Sequence, residues 1–290
     1  MRTIPLAHSA AVSVIGYGGM HLSLTDRPSE SEAIRVIHAA LDAGMTLIDT
    51  ADAYCLDASE TGHNERLIAK ALREWNGPAA GVLVATKGGI VREGGRWDRN
   101  GHPAHLRRAC EASLKSLGVD QIGLYQLHAP DPAVPFEESV GALAELQRAG
   151  KVRWIGLSNV SVEQIRAAQR IAPIASVQNR LNPYFREALS GGVVAFCAAE
   201  GLVFLAYSPT GGGRLTLKLP SHPVLVGIGA RLGATAHAVC IAWVIAQGAT
   251  VAAIPSARKV AHTVDSAGAA GLALSAEDRR AIDAAVFDKS

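Results

Sequence analysis

Short apolar runs rich in β-branched residues recur along the chain, and segments with helical spacing lie between them. The runs are Val12–Ile15, Thr46–Asp49, Val82–Thr86, Ile122–Leu127, Val152–Gly156, Ile174–Val177, Leu202–Ala206 and Thr250–Ile254. Being apolar on both faces, they suit strands of a buried parallel sheet. The intervening segments Ser31–Ala43, His63–Trp75, Ala104–Leu117, Phe136–Ala149, Val162–Ile171, Arg186–Glu200, Ala234–Gln247 and Lys259–Ala269 place apolar residues at helical intervals. Gly44, Gly118, Gly150, Gly201 and Gly248 follow five of them as expected left-handed stops, and Ser161 and Ser275 stand as N-caps.

Strand followed by helix about eight times, with no break in composition, predicts an α/β fold: one (β/α)8 TIM barrel over residues 1–290. An open doubly wound sheet would need GxGxxG after its first strand, and Gly16-Tyr17-Gly18-Gly19 lacks the third glycine. Three long loops, Thr50–Gly62, Gly88–Pro103 and Ser208–His222, follow strands and belong to the face where barrel active sites sit.

Composition narrows the function classes. The chain is 49% hydrophobic and 19% charged, which excludes disorder. Lys plus Arg is 28 against 26 for Asp plus Glu, a net charge of +2. A charge so near zero, with few aromatics, makes no case for nucleic acid or an anionic membrane as partner. Cys55, Cys110, Cys197 and Cys240 form no CxxC pair and read as reduced thiols. No apolar run reaches membrane length and no signal-peptide pattern opens the chain, so the expected location is cytoplasmic. His102 and His105 lack partners for a metal set and read as loop and helix-start residues; Asp131-Pro132 and Gly211-Gly212-Gly213 read as turns.

The residues ending the strands carry the chemistry. The second run leads into Asp49-Thr50-Ala51-Asp52-Ala53-Tyr54, the third ends at Lys87 and the fourth at His128. A free phenol has a pKa near 10, and a nearby ammonium lowers it. A carboxylate beside a buried lysine keeps that lysine charged. Hence the expected chain runs Asp49 to Lys87 to Tyr54, with a neutral His128 steadying a carbonyl oxygen. Each residue alone has an ordinary explanation as a turn former, a surface charge or a packed ring. Gathered at three consecutive strand ends, they form a proton-transfer set.

Here the sequence resembles the aldo-keto reductases. The resemblance runs from Gly16 to about Ser266 through LIDTADAY, GHNE, VATKGG, LYQLHAPDP, LAELQRAGKVRWIGLSN, VQNRLNP, FLAYSPTGGG and IPSARK, in that order. It implies a barrel closed at its base by an N-terminal hairpin, and reduction of an aldehyde or ketone with NADPH, NADH being the alternative. Asp49, Tyr54, Lys87 and His128 match the family's catalytic four, with Tyr54 as general acid. Ser158, Asn159 and Gln178 match the residues holding the carboxamide, and Tyr207 the ring on which nicotinamide stacks. Gly19 and Met20 match backbone close to the cofactor, and Ser208, Pro209, Thr210 and Gly211 the diphosphate loop. Ser256, Arg258, Lys259, His262 and Asp265 fall in the segment for the adenosine 2′-phosphate and adenine.

Departures from the pattern are Asp265-Ser266 for the family's Glu-Asn, His262 for its Gln or Arg, and Ala129 where many members carry Trp. The short Ser208–His222 loop implies loose clamping and fast cofactor exchange. Arg92, Arg96 and Trp97 are candidates for the pocket wall and suit solvent equally well. The expected partner is a small carbonyl compound. Two rival readings are a cofactor-sensing regulatory subunit with little turnover and a lyase using Lys87 as a Schiff base.

Overall fold

The computed structural model describes residues 1–7 and 9–290. Strands β1 (Thr3–Leu6) and β2 (Ala10–Ser13) pair antiparallel, Thr3 opposite Ser13 and Leu6 opposite Ala10, as a hairpin. The barrel strands are β3 (Tyr17–Gly18), β4 (Leu47–Asp49), β5 (Leu83–Gly88), β8 (Ile122–Leu127), β9 (Val152–Ser158), β10 (Ile174–Arg180), β11 (Val203–Tyr207) and β12 (Val251–Ile254). They are parallel neighbours in chain order, and β6 (Ile90–Val91) with β7 (Asp98–Arg99) forms a small antiparallel ribbon inside the loop after β5.

The expected first strand, Val12–Ile15, is divided between these units. Ser13 ends the hairpin, its N–H donating to Thr46 Oγ1 at 3.0 Å. The chain then runs along β12 and closes the barrel: Gly16 N–H donates to the Ala253 carbonyl at 2.8 Å and Ala253 N–H to that of Val14 at 3.0 Å. Gly16 permits this close approach, since a Cβ there would stand 2.9 Å from the Leu47 carbonyl oxygen.

Helices α1 (Glu30–Asp42), α2 (His63–Glu74), α3 (Pro103–Leu117), α4 (Phe136–Arg148) and α5 (Val162–Gln169) fall where the periodicity places them. Ser29, Ser161 and Ser275 each build a reciprocal capping box with the residue three further on, and His102 caps α3 through Nδ1. The expected helix 186–200 breaks into α6 (Glu187–Ser190) and α7 (Val193–Ala199) at Gly191-Gly192, the second glycine being left-handed. A further helix, α8 (Pro223–Leu232), starts with proline and ends at left-handed Gly233, a signature the apolar period alone did not expose. Helices α9 (Ala236–Ile245), α10 (Val260–Gly268) and α11 (Ala276–Ala284) follow. Gly44, Gly118, Gly150 and Gly201 have positive φ, whereas Gly248 does not, because α9 ends at Ile245. Among the described residues no single helix is long and apolar enough to cross a membrane.

The loop Ser208–His222 packs against the C-terminal tail. Gly213–Ser221 coils as a 3₁₀ helix and the C-terminal tail lies against it. His222 stacks flat on Phe287 at 4.2 Å, Tyr184 meets the same ring edge-on at 5.2 Å, and Arg214 donates to the Lys289 carbonyl at 3.0 Å. A short loop therefore obtains its order from the tail.

Candidate active site

The ends of β4 and β5 meet at one buried cation. Lys87, on β5, is 0% exposed and Asp49, ending β4, is 2% exposed. Lys87 Nζ donates to Asp49 Oδ1 at 2.6 Å, to the Thr50 carbonyl at 2.8 Å and to Tyr54 Oη at 2.9 Å. All three ammonium hydrogens are thus used. Burial opposes the charge on Lys87, but Asp49 and Tyr54 outweigh it, and its pKa stands above the ordinary lysine value. Asp49 Oδ2 accepts from Gln178 Nε2 at 2.7 Å and Gln126 Nε2 at 3.4 Å, so with Lys87 donors from three strands hold the carboxylate in place.

Tyr54 lies in the loop after β4, its ring edge-on to His128 at 5.7 Å. The expected acidified phenol is not what results. Burial raises its pKa, the Lys87 ammonium pulls it part of the way back, and the net direction is upward. The hydroxyl is out of water and Asp49 stands close by, so the proton stays on oxygen at neutral pH. His128 follows β8, its N–H donating to the Gly88 carbonyl at 2.9 Å. Burial first, and Lys87 second, hold its imidazole well below the usual histidine range, hence neutral, and its buried Nδ1 has no protein partner.

Around this centre Ser158 is buried and Asn159 takes φ +59. Asn159 Nδ2 donates to the His128 carbonyl at 3.0 Å and its Oδ1 accepts from Tyr207 Oη at 2.8 Å. Gln178 directs its Nε2 to Asp49, so toward a ligand it offers Oε1. Gly19 N–H donates to the Asp49 carbonyl at 2.8 Å, and a Cβ on Gly19 would stand 2.6 Å from Asn64 Oδ1. Met20 opens a 3₁₀ turn directly beyond. Ser208 (φ +48) starts a turn closed by Gly211 N–H on the Ser208 carbonyl at 2.9 Å, with Pro209 and Thr210 between them. Gly211 has φ +96, and a Cβ there would stand 2.9 Å from that of Leu215.

The segment after β12 is built differently. Arg258, Lys259 and His262 are exposed. Arg258 Nη1 donates to the Asp26 carbonyl at 2.8 Å, and Ser256 Oγ is buried without a partner. Asp265 is drawn toward α9, its Oδ2 accepting from the capping Thr235 hydroxyl at 2.7 Å. Its other carboxylate oxygen, Oδ1, takes no part in that bond.

Residues not singled out from the sequence also shape the site. Asn64 donates from Nδ2 to the Gly19 carbonyl and to Ser23 Oγ, both at 2.8 Å, and accepts from Thr50 Oγ1 at 2.6 Å. It lies within GHNE, where its role was open to inspection. Gln126, two before His128 on the same strand face, was signalled by alternation. Arg92 proves buried, while Arg96 is exposed and pairs with Asp98 at 3.2 Å.

Comparison with known proteins identifies the family and the fold. The model of the "Aldo/keto reductase family" matches residues 14–286. A probable aldo-keto reductase from Glycine max is 34% identical over 304 residues, covering 95% of this chain and 86% of its own. The glycerol dehydrogenase of Gluconobacter oxydans superposes with a TM-score of 0.85 at 29% identity, over 97% of this chain and 94% of that one. An aldo-keto reductase from Klebsiella pneumoniae, solved in complex with NADPH, gives 0.81 at 29% identity over 97% and 94%. With the family model matching residues 14–286 and a relative 34% identical over nearly the whole chain, the chain belongs to the aldo/keto reductase family.

Proposed function

We infer that this oxidoreductase reduces an aldehyde or ketone to the alcohol with NADPH, Tyr54 acting as general acid. The observation that carries the reading is the buried Lys87 ammonium, bonded at once to Asp49 and to the Tyr54 hydroxyl at 2.6 and 2.9 Å. The residues present suit a nicotinamide dinucleotide. Gln178 offers Oε1, and the buried Ser256 hydroxyl beside exposed Arg258 and Lys259 matches a phosphate. The NADPH complex of the Klebsiella relative supports the choice of cofactor.

When bound, the dinucleotide supplies hydride to the carbonyl carbon. The carbonyl oxygen lies against Tyr54 Oη and neutral His128. As negative charge grows on that oxygen, the phenolic proton passes to it, giving the alcohol. Lys87 then faces the phenolate at hydrogen-bond distance, and its attraction matters most at that moment. Asp49 keeps Lys87 protonated, and Gln178 keeps Asp49 aimed. A lysine held charged by three acceptors is a poor nucleophile, which disfavours the Schiff-base alternative.

The test is Tyr54→Phe. It is expected to lower kcat for aldehyde reduction by about 10²- to 10⁴-fold while the Kd for NADPH holds. Reduction near the wild-type rate would remove Tyr54 from the acid role.

A further inference from the structure

The ribbon inserted after β5 brings a second cation to the site. Arg92, just beyond β6, is 7% exposed, and its guanidinium carbon stacks 3.9 Å from the centre of the Trp97 ring. Trp97 in turn meets Tyr54 edge-on at 6.4 Å, so one aromatic ring separates the guanidinium from the proposed acid. Arg92 Nη2 donates to the carbonyls of Leu56 and Gly95, at 2.9 and 2.8 Å. Nε and Nη1 are buried and find no acceptor.

Among the described residues no carboxylate pairs with Arg92, and three acids of the neighbouring loops are engaged elsewhere. Glu60 holds Arg27 at 2.8 Å, Asp98 holds Arg96, and Asp57 accepts from the Ser59 hydroxyl at 2.6 Å. Tying two loops together needs only Nη2. Two further donors left unpaired in a buried site are unfavourable unless something else meets them. The charge around the pocket points the same way. Lys87 is balanced by Asp49 and His128 is neutral, so neither supplies a free positive charge for an anionic substrate group. Its cover, Trp97, is 46% exposed.

We propose that Arg92 is the recognition cation for a carboxylate or similar anionic group on the carbonyl substrate, reached when the Trp97 indole swings aside. The site would then select oxo acids over neutral carbonyl compounds of the same shape. This rests on the reductase reading above, and the experiment separates the two.

Matched pairs that differ only in charge are compared with NADPH: 4-carboxybenzaldehyde against 4-formylbenzamide, and succinic semialdehyde against its amide. In the wild type the acid of at least one pair is expected to have a kcat/KM about 10- to 100-fold above its amide. Arg92→Met should bring that ratio near one, and Arg92→Lys should retain part of it. A wild-type ratio near one in both pairs, or a ratio unchanged in Arg92→Met, overturns the proposal. Calorimetry of benzoate and benzamide with the NADP-loaded wild type and Arg92→Met supplies an arm independent of turnover. Benzoate binding that benzamide does not match, and that Arg92→Met abolishes while NADP still binds, supports the anion site even if no aldehyde is reduced, in which case the reductase reading falls alone; benzoate binding that Arg92→Met leaves unchanged overturns it. Equal affinity for the two removes the anion site.

Discussion

At the inner end of the proposed cofactor groove, Asp49, Lys87 and Gln178 are buried and bonded to one another; at the outer end, Arg258, Lys259 and His262 stand in solvent. The inner group is over-determined. Lys87 is gripped by three acceptors and Asp49 by three donors, so no single side chain can turn without stranding a buried polar partner. The outer group has one arginine resting on a loop carbonyl and one aspartate drawn to a helix cap. The proposed chemistry thus falls where geometry cannot drift, and the proposed discrimination between cofactors falls on exposed side chains.

The sharpest attempt to break this contrast is Lys87→Met. It leaves Asp49 buried without its cation, which is expected to destabilise the fold by about 3–5 kcal/mol. It should also lower kcat by at least about 10³-fold. Denaturant melts and steady-state kinetics check both. A variant as stable as the wild type would mean the inner network is not under the tension described.

Arg258→Ala probes the outer end. The Kd for NADPH should rise by about 10- to 100-fold, with the Kd for NADH almost unmoved and the melting temperature unchanged. Fluorescence titration of both dinucleotides decides it. Equal weakening of the two would place Arg258 away from the 2′-phosphate.

A smaller effect concerns Asp52, which is buried behind the inner network. Burial and the neighbouring Glu65 hold its carboxyl well above the ordinary range. The folded chain therefore keeps a proton that the unfolded chain releases. The resulting stability is present at acid pH and is lost as pH rises toward the folded value. Asp52→Asn removes that loss. The melting temperature of the variant relative to wild type should increase from pH 5 to pH 8, by about 2–4 °C. A difference that is the same at both pH values would show that Asp52 does not change protonation on folding.

Legibility followed range along the chain. The parallel strands from Thr46 onward and helices α1 to α5 were readable because an apolar period and a cap are local signals. The first barrel strand was misplaced because Val14–Gly18 is held by β12, more than two hundred residues away. Helix α8 was missed although proline and glycine bracket it, since its period is blurred by being apolar on most sides. Asp49, Tyr54, Lys87 and His128 were identified as a set, yet the direction of the Tyr54 shift was not, because burial is a property of the packed site.

What the linear chain determined by itself was the barrel class, the loops carrying the chemistry and the residue types at the strand ends, since these depend on periodicity and strand termini. Which atoms meet was decided only in three dimensions. Gln178 turned to Asp49, Asp265 to Thr235, the C-terminal tail to the 208–222 loop, and Arg92 beneath Trp97. The reason is physical: a buried donor or acceptor must find a partner wherever the fold brings one within reach, and sequence distance places no limit on where that partner lies.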